Sequence, residues 1–185
     1  MARAFAKIAF TPSVRAIQTQ QGSADSYAKF LTPAAEGGIA LTERESEFIA
    51  QRDGFYQATV SETGWPYVQF RGGPPGFLKK LDAQTIGYAD FRGNRQYLSV
   101  GNLSIENRVS LILMDYPNRR RLKILGRAAA IDITEDPSLV ARLHDKSYPA
   151  QPERSVIIKV EAYDWNCPSH IPQRYTLEEF RELKL

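Results

Sequence analysis

The sequence predicts a mainly β chain: a six-stranded antiparallel β-barrel with short flanking helices. Three observations carry this. Six segments are apolar or alternating at strand length, tight turns join most of them, and the intervening helices are too few and too short for a doubly wound parallel sheet. With 185 residues, 43% hydrophobic and 24% charged, the chain can form one compact domain with a sizeable core. A mean hydropathy of −0.38 and the lack of any long apolar run argue against a membrane span.

In chain order, Thr11-Pro12-Ser13 ahead of Val14 and Ile17, then Tyr27 and Phe30, predict one or two short helices interrupted near Gly22. Residues 1–41 form a helical extension that ends in loop chemistry over Thr32–Gly38. Thr42-Glu43-Arg44-Glu45 is a capping box for a helix reaching about Arg52, and it opens the main domain, 42–175. Phe55–Ser61 and Trp65–Arg71 form a hairpin through Glu62-Thr63-Gly64. Further strands are predicted over Thr85–Asp90, Val109–Met114, Arg121–Thr134 and Ser155–Tyr163. The unbroken apolarity of Val109–Met114 predicts cover on both faces. Helices are expected from Arg95 to Leu103, from Asp136-Pro137 to His144, and over residues 176–185.

The 24 Lys and Arg against 21 Asp and Glu leave a charge of only +3, so any phosphate site must be local, and no nucleic-acid partner is expected. One cysteine, Cys167, excludes an intrachain disulfide and fits a reducing cytoplasmic setting; it is read as an inert thiol. Two histidines, His144 and His170, supply a zinc site poorly. The N-terminus lacks the apolar run of a signal peptide. There is no Walker A loop, no Gly-x-Gly-x-x-Gly after a strand, no His-Glu-x-x-His and no Gly-x-Ser-x-Gly, which disfavours the corresponding chemistries.

Three basic stretches remain. In Tyr67-Val-Gln-Phe-Arg71, strand alternation puts Tyr67, Gln69 and Arg71 on one face; Arg71 can fork onto two phosphate oxygens, or the face is simply solvated. In Asp90-Phe-Arg-Gly-Asn-Arg-Gln96 the backbone N–H groups near Gly93 and Asn94 open a helix and can cradle an anion. A turn and a cap explain Asn94 equally, but not Arg92 and Arg95 beside the positive end of that helix. In Asn118-Arg-Arg-Arg-Leu-Lys123, residues Arg119, Arg121 and Lys123 share a face, which a solvated edge strand also accommodates. An RNA patch is disfavoured because no stacking aromatics accompany these arginines.

Together, Pro66-Tyr-Val-Gln-Phe-Arg-Gly-Gly-Pro-Pro-Gly-Phe77, Ala89-Asp-Phe-Arg-Gly-Asn-Arg-Gln96 with Asn102 and Asn107, Asn118-Arg-Arg-Arg-Leu-Lys-Ile-Leu-Gly126 and Trp165-Asn-Cys-Pro-Ser-His-Ile171 resemble the pyridoxamine-5′-phosphate-oxidase-like, FMN-binding split barrels. The resemblance runs from Thr42 to Tyr175. It implies a homodimer with FMN in a cleft between subunits, acting as an oxidoreductase on a small molecule through flavin N5. The alternative is a non-catalytic binder of flavin, the deazaflavin F420 or haem.

By the same resemblance, Gln69 and Arg71 lie on the inner strand, and Gly93, Asn94, Arg95 and Gln96 occupy the phosphate-binding loop. Asp90 falls near the ribityl chain or ring edge, Arg121 reaches the flavin from the partner subunit, and His170 stands at the outer mouth. Two departures stand out. The family's arginine-leucine-x-proline tail is replaced by Thr176-Leu-Glu-Glu-Phe-Arg-Glu-Leu-Lys-Leu185, which puts the vitamin substrate in doubt, and Gln96 replaces a basic residue.

Overall fold

A computed structural model of the chain describes residues 3–32, 37–165 and 167–183. The predicted loop over Thr32–Gly38 therefore falls partly outside the described residues, as do Asn166 of the fourth motif and the last two residues of the expected terminal helix. No helix among the described residues is long and apolar enough to cross a membrane.

The described residues of the extension carry three short helices, α1 (Arg3–Ala9), α2 (Pro12–Gln20) and α3 (Ala24–Ala28), the last running into a 3-10 turn over Lys29–Leu31. Thr11 caps α2, its side chain accepting from the Val14 N–H, with Pro12 in the first turn where no donor is lost. Helix α1 buries Phe5 and Ala6.

Helix α4 (Glu43–Ala50) then leads into β1 (Gly54–Val60) and β2 (Pro66–Gly72), the predicted hairpin, followed by β3 (Lys79–Asp82) and β4 (Thr85–Phe91). Next come α5 (Leu98–Ile105), β5 (Arg108–Asp115), β6 (Arg120–Asp132), α6 (Pro137–Leu143), β7 (Pro152–Trp165) and α7 (Leu177–Glu182). Among the described residues the sheet has seven strands in the order β2-β1-β5-β6-β7-β4-β3, and every pairing is antiparallel. This is the expected split barrel with one strand more than the six predicted. The extra strand, β3, is only Lys-Lys-Leu-Asp, too short and too charged for a period-two signal.

The hydrogen-bonded ladder does not close, and β2 and β3 are its edges. The sheet instead curls until side chains meet across the gap. Tyr88 on β4 donates to Gln57 Oε1 on β1 at 2.9 Å, and Arg71 on β2 reaches Asp90 on β4 at 2.6 Å. Inside lies the core, with Phe55 stacked on Phe77 at 5.6 Å, Tyr88 edge-on to both, and Leu111, Leu113, Leu122, Ile124 and Ile158 fully buried.

Two expectations are corrected here. In β5 only one face is covered: Val109, Leu111 and Leu113 are buried, whereas Ile112 is 38% exposed. And β6 is no edge strand, because it pairs with β5 on one side and β7 on the other. At its bulge, Gly126 lies so close to β7 that an added Cβ would meet the Lys159 carbonyl oxygen at 2.5 Å, so the close approach requires a glycine.

Candidate functional site

The inward face of β2 carries Tyr67, Gln69 and Arg71, as the alternation predicts, while Val68 and Phe70 point out. Arg71 is not a free fork. Its Nη1 donates to Asp90 Oδ1, and Arg154 on β7 donates to the other oxygen, Asp90 Oδ2, at 3.0 Å. A second nitrogen of Arg154 bonds Glu153 at 3.1 Å, and its guanidinium lies 5.0 Å from the Tyr97 ring centroid. Asp90 is buried, so each guanidinium balances part of one carboxylate's desolvation. The Arg71 Nε is buried with no partner among the described residues.

After β4 the chain passes through Gly93, Asn94, Arg95 and Gln96. Here the structure departs from the predicted helix beginning at Arg95: Arg95 and Tyr97 both adopt left-handed backbone, φ 62° and 53°, and α5 starts only at Leu98. The N–H groups near Gly93 and Asn94 therefore belong to a loop and not to a helix start, and the dipole argument for Arg92 and Arg95 does not hold there. The helix start itself lies at Leu98–Val100, with no capping side chain and no acidic residue in its first turn. Ser99, buried, donates its hydroxyl to Gln69 Oε1 at 2.9 Å. Arg95 is exposed, its Nε 3.4 Å from the Tyr97 hydroxyl, which draws its pKa up.

These parts surround one cavity of about 80 Å³. Gln69 and Arg71 reach it from β2, Asp90 from β4, Gly93 to Gln96 from the loop, the first turn of α5 from above, and Arg154 from β7. Seven of the nine sequence-selected residues thus converge. No sequence pattern points to Arg154, Ser99 or the bare start of α5. Arg154 sits just ahead of the apolar run that marked the last strand, where alternation gives no cue, and the delayed helix start follows from two left-handed residues that no local pattern announces.

Arg121 and His170 do not line this cavity. Arg121 pairs in register with Met114 on β5, and its charge acts on Cys167. His170 is exposed in a loop with φ 65°. The other cations of the third stretch are occupied locally: Arg119 donates to Gln173, Arg120 lies 5.0 Å over Phe48, and Lys123 pairs with Asp164 at 3.2 Å. Asn102 donates to Thr59 and Asn107 accepts from Arg127, both structural ties. A larger cavity, about 560 Å³, lies on the outer face among Tyr56, Phe70, Tyr116 and the C-terminal segment; its four carboxylates, Asp53, Glu178, Glu179 and Glu182, outnumber Arg52 and Arg174 and make it a poor place for an anion.

A family model, Pyridoxamine 5′-phosphate oxidase, matches residues 41–166. The chain belongs to the pyridoxamine 5′-phosphate oxidase family.

Solved structures with the family's split barrel agree in fold. One, from Lactobacillus delbrueckii and described as a candidate pyridoxamine 5′-phosphate oxidase, is 21% identical, with a TM-score of 0.52 over 68% of this chain and 93% of the other. A protein from Clostridium acetobutylicum related to general stress protein 26 is 15% identical, TM-score 0.51, over 74% and 94%. An FMN-binding protein from Syntrophomonas wolfei is 11% identical, TM-score 0.50, over 80% and 97%. Among curated proteins no relative matches.

Proposed function

We propose that this member of the pyridoxamine 5′-phosphate oxidase family is a homodimeric FMN-binding oxidoreductase of a small molecule, holding the FMN phosphate in the cavity between β2 and the start of α5. The observation that carries this is the convergence of Arg71, Arg95 and Arg154 with uncapped helix N–H groups on a recess too small for a whole flavin nucleotide. The family membership and the shared fold of an FMN-binding protein support it.

The residues fit such a group. The buried Arg71 Nε lacks a partner among the described residues, and a phosphate oxygen would supply one. Phosphate is a multidentate acceptor, suited to guanidinium forks and helix-start amides alike. When bound, FMN supplies two-electron chemistry, exchanging a hydride at N5. The chain's own groups bind and orient: Arg71 and Arg95 carry the charge, Gln69, Asn94 and Gln96 add amide donors, and Gly93 keeps the loop free of a side chain. Asp90 aligns the arginines. Arg121 of the partner subunit is assigned to the ring's N1 and O2 edge, and His170 to the mouth.

The dimer is favoured by a cross-strand row on the outer sheet face. Phe70, Tyr56 and Ile112 are register partners, with Val68 beside them, and all are at least 38% exposed in the single chain. An apolar patch on a sheet face marks an interface.

Purified protein should carry a flavin absorbance spectrum or acquire one from added FMN; a protein that stays colourless and takes up no FMN overturns the reading. Arg95→Ala should weaken FMN by at least about tenfold in a fluorescence titration, the loss expected for one charge-assisted contact. Stopped-flow reduction by NADH, NADPH or candidate substrates tests the oxidoreductase assignment. A bound flavin that none of them turns over assigns the protein to ligand binding or sensing.

A further inference from the structure

Arg154 is the best-held cation beside the cavity and has no place in the motifs. Its side chain is 13% exposed, yet it lies on β7, 64 residues from Asp90, to which it bonds. A buried guanidinium needs its donors satisfied. Asp90 and Glu153 each take one Arg154 nitrogen, so part of the fork remains for the cavity that it lines. Arg71, 14% exposed, is in the same condition on the other side of Asp90, with its Nε unpartnered.

Asp90 thus holds two guanidiniums side by side on one carboxylate, which fixes their spacing. The charge around the recess is unbalanced in one direction. Three arginines of its lining, Arg71, Arg95 and Arg154, face two carboxylates, Asp90 and Glu153, an excess of one positive charge, and Arg92, just outside the lining, stands 3.9 Å from Glu153. The bare first turn of α5 adds to it. A phosphate monoester carries close to two negative charges at neutral pH, and neither a neutral sugar alcohol nor a riboflavin terminus matches that excess.

Resting on the flavin reading above, we infer that Arg154 is a specificity-determining residue, the second fork on the phosphate, through which the site prefers FMN over riboflavin. Asp90 is the positioning residue that aligns this fork with Arg71.

The test compares wild type with Arg154→Lys and Arg154→Ala, titrating FMN and riboflavin by flavin fluorescence and inorganic phosphate by its shift of the melting temperature. Lysine keeps the charge and a partner for Asp90 but not the fork, so Arg154→Lys guards against loss of folding in the alanine variant. The expected result is a loss of FMN affinity of about tenfold or more in both variants, with riboflavin affinity unchanged and stabilisation by phosphate reduced. Equal loss of both flavins, or no loss of FMN, overturns the assignment. If wild type takes phosphate but neither flavin, the flavin reading fails, and Arg154 is still judged by whether Arg154→Lys loses the phosphate effect. If wild type takes neither phosphate nor flavin, both fall.

Discussion

At the residue scale, Asp90 decides how the cavity is built. Its carboxylate is buried and answers Arg71 at 2.6 Å and Arg154 at 3.0 Å. Asp90→Ala leaves two mostly buried guanidiniums facing each other with no anion between them. We expect a loss of about 3 kcal/mol in urea unfolding, the lower end of what breaking a buried pair costs, because both arginines keep an edge in water. Half of this arrangement was legible in the sequence: period-two alternation set Gln69 and Arg71 on one inward face. The other half was not. The Arg71–Asp90 and Arg154–Asp90 bonds join strands across the curl of the sheet, and nothing local to any one of the three residues encodes which strands the curl brings together. Tyr88 belongs to the same closure; burial holds its phenol neutral well above the usual range, so it stays a donor to Gln57.

At the element scale, α4 is tied down by one carboxylate. Glu45 accepts from the Thr42 N–H at 3.0 Å, from the Thr42 hydroxyl, and from Trp165 Nε1 at 2.6 Å. Burial works against its charge, but the bonds from Thr42 and Trp165 outweigh burial, and its pKa lies below the ordinary glutamate value. A carboxyl with a depressed folded-state pKa adds stability above its unfolded pKa and loses it as pH falls through the folded value. Wild type should therefore lose stability on acidification in that window, and Glu45→Gln should start less stable and show a flatter acid limb in pH-dependent unfolding. The capping box that announced α4 was readable because its signal is local in sequence. The late start of α5 was not: Arg95 and Tyr97 adopt left-handed backbone, and the partners of Tyr97, Arg154 over its ring and Glu153 at its hydroxyl, lie far along the chain. The edge-strand reading of Arg119–Lys123 failed for a related reason: β6 is central, and its cations are accommodated by Gln173, Phe48 and Asp164.

At the scale of the whole molecule, the uncovered outer face bears on assembly. The apolarity of Val109–Met114 marked a strand but overstated its cover: in the chain only one face is buried, and the other, with Ile112, stays half-open beside Tyr56 and Phe70. Phe70→Glu places a charge in the middle of that row. In the proposed dimer it should weaken self-association by about 2–4 kcal/mol, read as a shift from dimer to monomer in sedimentation equilibrium, with little change in the monomer's own unfolding. The bond between Trp165 and Glu45 spans 120 residues. Helix α4 emerges early from the ribosome and Lys80 of β3 can reach Ser46 soon after, but the tie from Glu45 to Trp165 forms only when the final strand has followed, so the helix is incompletely anchored through most of synthesis. Translation stalled before Trp165 should leave α4 more open to proteolysis than in the finished chain, even though every residue of the helix has already been made.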